Sequence, residues 1–157
     1  MEIPLTRKAK GDLAELAVAH DLIERGYQVA FPYGEDWDFD LIVLRHDKLE
    51  RVQVKCAISR DGVIQVKTRS HSLTNGKIRR TKHYTADTID WLAVYDRATG
   101  RSFYIPAYEL GSGMSMLHLR LSPTLNGQRA GIRYAENYTS LEEAGSTPTI
   151  DLLVEGP

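Results

Sequence analysis

Residues 36 to 57, DWDFDLIVLRHDKLERVQVKCA, hold two apolar runs separated by a short polar stretch. The runs FDLIVL and ERVQVKCAI read as strands, and the residues His46–Leu49 between them as a turn. A hairpin here constrains the rest of the chain, because strand alternation assigns every side chain to a face. Val52, Val54 and Cys56 point to one side, and Gln53, Lys55 and Ala57 to the other. An even-membered turn centred on Asp47–Lys48 places Asp40 opposite Lys55, on the face that carries Gln53 and Lys55. A bulge or an odd-length turn would shift that register.

One carboxylate, one amide and one ammonium at a sheet edge suit the hydrolysis of a phosphodiester. Carboxylate and carbonyl oxygens are the hard ligands that Mg²⁺ prefers, with water and substrate phosphate completing its octahedron. Such a metal activates water and neutralises phosphate charge. A nearby lysine orients the attacking water or stabilises charge in the transition state. The bland alternative is a solvent-facing strand on which Gln53 and Lys55 make surface hydrogen bonds.

The remaining elements are read from periodicity and turn residues. Leu13, Leu16, Ala17, His20 and Ile23 recur at helical spacing, which predicts a helix from about Thr6 to Arg25 with that stripe as its apolar side and Gly26 as its stop. YQVAFP is a short strand. RDG at 60–62 is a tight turn into a further strand, VIQVKTR, so that three consecutive hairpin-linked strands form an antiparallel meander. HSLTNGKIRRTKH, residues 71–83, lacks apolar periodicity and reads as an exposed basic loop. DWLAVYD, SFYIPA and LHLRL are later strands, and the order of elements predicts an α+β fold with a mixed central sheet.

Charge is distributed unevenly. Residues 45 to 83 contain eleven Lys or Arg against three acids, a net +8, in a chain whose overall net charge is −1. No Lys or Arg follows Arg133. A basic block of this kind neutralises phosphates and releases their counterions, which is the usual source of sequence-independent affinity for DNA. Arginines on such a segment can also read guanine in the major groove. The expected DNA contacts are Lys67, Arg69, Lys77, Arg79, Arg80 and Lys82.

No apolar run approaches the length of a membrane helix, and MEIPLTRKAK lacks the apolar centre of a signal peptide. The lone cysteine, Cys56, fits a reducing cytoplasm and reads as core filler. A single domain over 1–145 is expected, with a tail over 146–157 that has no clear element and is expected to be partly disordered.

KGDLAE on the first helix, then DFDLIV, then VQVK resembles the PD-(D/E)XK nuclease superfamily, and within it the group I intron-associated homing endonucleases, which also carry Gln in place of the usual acid. The resemblance implies a restriction-endonuclease-like core flanked by helices and beginning with a three-strand meander. It implies that Asp40 is the central metal ligand, that Gln53 offers its side-chain carbonyl, that Lys55 is the catalytic lysine and that Glu15 reaches the metal or its waters. Asp38 and Asp36 are weaker candidates; Asp40 is preferred because the run LIVL begins directly after it, as the family's metal aspartate usually stands. The implied activity is Mg²⁺-dependent cleavage of double-stranded DNA, with Mn²⁺ as a substitute, by a homodimer or higher symmetric homo-oligomer. Two other readings stand beside it. One is a junction-resolving nuclease, since archaeal Holliday junction resolvases share the helix glutamate and meander. The other is a nuclease-fold DNA-binding protein that has lost catalysis, with Gln53 as the trace.

Overall fold

The computed structural model describes residues 2–74, 77–128 and 130–142, and the side chains of these except within 70–80. The expected tail, 146–157, lies outside the described residues.

Helix α1 runs from Arg7 to Glu24 and starts at Thr6, whose hydroxyl accepts the Ala9 N–H at 3.1 Å. Its buried residues are Ala14, Val18, Ala19 and Leu22. The expected apolar side is therefore corrected: Leu13, Leu16, His20 and Ile23 are exposed, and Leu22 with three smaller residues faces the core. Close approach to a sheet favours alanine and valine, so the bulkier stripe was the poorer guide to the packed side.

Strands β1 (Gln28–Ala30), β2 (Leu41–Arg45), β3 (Lys48–Ala57), β7 (Trp91–Asp96) and β8 (Arg101–Pro106) form one sheet in the order β1-β2-β3-β7-β8. β3 and β7 are parallel and the other neighbours antiparallel. β4 (Val63–Lys67) pairs with β9 (Met116–Arg120), and β5 (Arg69–Thr74) pairs with β6 (Lys77–His83). The mixed sheet does begin with a three-strand antiparallel meander, but its members are β1, β2 and β3. The strand VIQVK, expected as the third member, leaves the sheet for β9. Residues 71–83, expected as a loop, are most of a β-hairpin.

The sheet is covered on both faces. Leu41, Val43, Val52, Val54, Trp91, Ala93 and Tyr104 pack against α1. Leu92, Val94, Phe103 and Ile105 pack under Ile64 and Val66 of β4 and Leu117 and Leu119 of β9. Helix, sheet and ribbon thus make three layers, with one α-helix among the described residues rather than several.

The β2–β3 turn is His46–Asp47, both in the left-handed region (φ 51° and 60°), as a two-residue hairpin turn of matching twist requires. It sits one residue earlier than expected. Arg45 faces Lys48 and Leu41 faces Val52, which carries Asp40 to the level of Gln53 rather than Lys55. A shift of two residues preserves the face, so Asp40, Gln53 and Lys55 still share one side.

Candidate active site

Strand β3 is ten residues long, whereas β2 covers it only as far as Val52. Beyond Val52, β3 keeps β7 on one side, from Val52 against Trp91 to Ala57 against Asp96. The end of β2 therefore leaves a notch beside the second half of β3. Asp40 stands at that notch. Its backbone N–H donates to the Val52 carbonyl at 2.8 Å, and its carboxylate accepts the Val54 N–H at 2.8 Å. The side chain takes over a ladder position that the departing strand has vacated, which fixes its carboxylate in orientation.

Glu15 reaches the same notch from α1 and its side chain is hydrogen-bonded to that of Asp40. Burial, and then the neighbouring Asp40 charge, push the Glu15 carboxyl up to about 7. Asp40 is also raised by burial, although the Val54 N–H, Lys55 and the Glu15 hydrogen bond oppose this. Glu15 is therefore the carboxyl of the pair drawn toward its protonated form near neutral pH. The Lys55 ammonium is pushed down by burial and partly restored by Asp40. It lies 5.1 Å from the centre of the Tyr84 ring and makes no direct ion pair among the described residues. Asp40 is already occupied by Val54 and Glu15, which leaves Lys55 available to another anion.

Gln53 is 8% exposed, on the same face as Lys55 and level with Leu92 of β7. Asp38 is bound at 2.7 Å by Lys82, from the end of β6. That pair removes Asp38 from competition with Asp40 and places one expected DNA contact at the rim of the site. Asp36 lies on the same loop in the left-handed region (φ 65°) and lines, with Glu15 and Asp40, a 230 Å³ cleft beside the notch. Trp37 is half exposed in that loop, its indole N–H donating to the Tyr33 carbonyl at 2.9 Å, while Phe39 packs into the core.

Of the other expected DNA contacts, Lys67 and Arg69 are exposed, and the side chains of Lys77, Arg79 and Arg80 lie outside those described. Structure also divides the basic block. Arg45 binds Glu50 at 2.6 Å, and Arg51 binds Asp90 at 3.1 Å while donating to the carbonyls of Ala86 and Asp87. Those cations are internal fasteners. Sequence reasoning left the role of Tyr84 open, and nothing in its spacing signals that it lies beneath Lys55.

A divalent cation suits this donor set. Two adjacent carboxyls whose anionic forms burial disfavours are an arrangement that such a cation would relax. Among the described residues no three His, Cys, Asp or Glu side chains gather as a metal site, so a third protein donor would have to be neutral, as Gln53 is.

A family model described as PD-(D/E)XK endonuclease matches residues 5–141. The structure of a bacterial homing endonuclease, I-Ssp6803I, aligns with a TM-score of 0.66 at 25% identity, over 80% of this chain and 84% of that one. No curated protein matches the chain. No helix among the described residues is long and apolar enough to cross a membrane. With the fold, the notch and residues 5–141 in agreement, the chain belongs to the PD-(D/E)XK endonuclease family.

Proposed function

We propose that this nuclease-family protein is a Mg²⁺-dependent endonuclease that hydrolyses phosphodiester bonds of double-stranded DNA, in the manner of a homing endonuclease. It would act in the cytoplasm as a symmetric homo-oligomer, since cutting both strands calls for two sites. The observation that carries the reading is the meeting of Glu15 and Asp40 at the end of β2, beside a lysine with no direct ion pair among the described residues. Asp40, the Gln53 carbonyl and Glu15 would hold the metal, with Mn²⁺ as a substitute. The bound ion would supply an acidified water and charge neutralisation at the phosphate.

The chain's own residues do the rest. The Val54 N–H holds the Asp40 carboxylate in one orientation, so little reorganisation is needed when the site fills. Glu15, pushed up to about 7, would serve as a metal ligand in its deprotonated form, so occupancy would depend on pH. Lys55, fixed over Tyr84, presents its ammonium to the attacking water or to a phosphate oxygen. Exposed Lys67 and Arg69, with Lys77, Arg79 and Arg80 along the β5–β6 hairpin, hold the duplex backbone.

The test is incubation with mixed plasmid DNA and Mg²⁺ or Mn²⁺, with EDTA as control. Asp40→Ala and Lys55→Ala are expected to stop cleavage and spare DNA binding; undiminished cleavage in both rejects the site. Gln53 favours one competing reading, because losing a formal charge weakens metal binding. DNA that is bound but never cut would establish that reading, and cleavage confined to four-way junctions would establish a resolvase.

A further inference from the structure

Helix α1 is apolar on two sides. Ala14, Val18, Ala19 and Leu22 face the sheet, and on the opposite side Leu13, Leu16 and Ile23 are 38%, 63% and 59% exposed. With His20, whose side chain is 74% exposed, they follow a 3-4-3 spacing. That spacing is the seam of a coiled coil, in which each such position inserts between side chains of a facing helix. Single exposed leucines are ordinary, but three apolar side chains in one seam register on one helix make a patch of the kind that marks an interaction surface.

The charges of α1 indicate which partner. Arg7, Lys8 and Lys10 occupy its first turns, and Asp21 and Glu24 its last; no acid stands in the first turn and no base in the last. This is the reverse of what the helix dipole favours. Lys8 is answered by Asp12 at 3.0 Å and Asp21 by Arg25 at 3.1 Å. Lys10 has no ion pair among the described residues, and Glu24 meets only His20, at 4.0 Å. A second α1 running antiparallel brings basic turns to acidic ones at both ends and sets the two dipoles in opposition. Seating Leu13 on the second copy's Ile23, and Leu16 on its His20, puts Lys10 in the flanking position beside the second copy's Glu24.

We propose that the outer face of α1, from Lys10 to Glu24, is a self-association surface on which two copies pair by antiparallel α1 helices. Leu13, Leu16 and Ile23 form its apolar seam, His20 sets its register, and Lys10 pairs with Glu24 of the other copy. Glu15 lies on the sheet side of the helix, so the pairing leaves the candidate site open.

Sedimentation velocity on the full chain over a concentration series at low salt tests this. The unmodified chain should associate, and Leu16→Lys should weaken association by roughly a hundredfold or more with an unchanged circular dichroism spectrum. Lys10→Glu and Glu24→Lys should each weaken it by several-fold, and the double variant should recover it. The two charge variants alter a partly buried group, Lys10, and an exposed one, Glu24, and keep the test decisive if Leu16→Lys misfolds. A chain monomeric throughout, association indifferent to Leu16→Lys, or a double charge variant no better than the singles would each overturn the proposal. The inference deepens the reading of a symmetric assembly and fails separately from it: an oligomer that survives Leu16→Lys rejects this face while leaving the assembly, and the cleavage reading, in place.

Discussion

Strand β3 divides into two halves of one sequence run with different duties. Lys48–Val52 is flanked by β2 and is fastened through its charges, Glu50 to Arg45 and Arg51 to Asp90. Gln53–Ala57 has lost β2, and its polar side chains answer to no fixed counter-charge at direct ion-pair distance among the described residues. In the first half, Glu50 and Arg51 are paired, and Arg51 holds the loop before β7. In the second, a carboxylate fills the place of a strand and a lysine is left without direct ion pairing. The difference comes from where the neighbour stops rather than from composition.

The largest effect should come from the open half. Asp40→Ala is expected to lower Mg²⁺-dependent cleavage by roughly a thousandfold or more, and to cost about 1–3 kcal/mol of stability for the unpaired Val54 N–H, as read by plasmid nicking alongside calorimetry. A comparable loss from Arg51→Ala would erase the distinction between the halves. In the sheltered half, Leu41→Ala removes a fully buried side chain opposite Val52 and should cost about 2–5 kcal/mol in denaturant unfolding. Its cleavage rate per folded molecule should persist.

A third measurement uses pH. The folded Glu15 carboxyl, at about 7, lies above its ordinary 4.5, so the folded chain holds a proton that the unfolded chain releases between those values. Stability contributed by this group is therefore fully present below about pH 4.5 and declines as pH rises to about 7. Glu15→Gln should flatten that decline in metal-free unfolding curves, and an unaltered slope would contradict a raised Glu15 carboxyl. Added Mg²⁺ should also flatten it. The smallest effect belongs to the rim: Lys82→Ala breaks the Asp38 pair and should cost about 1 kcal/mol or less, with a modest fall in DNA affinity.

The hairpin 41–57, the α+β class and the shared face of Asp40, Gln53 and Lys55 were legible because alternation is local and turns obey short rules. The turn position was missed by one residue, since His46 and Asp47 both adopt positive φ without a glycine to announce it. The packed side of α1 was misread because bulk was taken for burial, whereas a helix lying on a sheet buries small residues at Ala14, Val18 and Ala19. The exit of VIQVK to β9 depends on a partner more than fifty residues away, and no local pattern encodes it. Tyr84 beneath Lys55 and Lys82 on Asp38 are equally long-range, arising from how the hairpin returns to the sheet.

That return bears on how such a protein can diversify. The chain leaves β3 at Ala57 and re-enters beside it at Trp91, and Arg51 grips Ala86, Asp87 and Asp90 at the point of re-entry. Everything between is an excursion with secured ends. β4 is held in the core by Ile64 and Val66, but because the entropy of closing a loop grows only slowly with its length, the β5–β6 hairpin within the excursion can be lengthened at little thermodynamic cost. The hairpin can therefore change while the parallel β3–β7 pair, and the notch beside it, stay under separate selection.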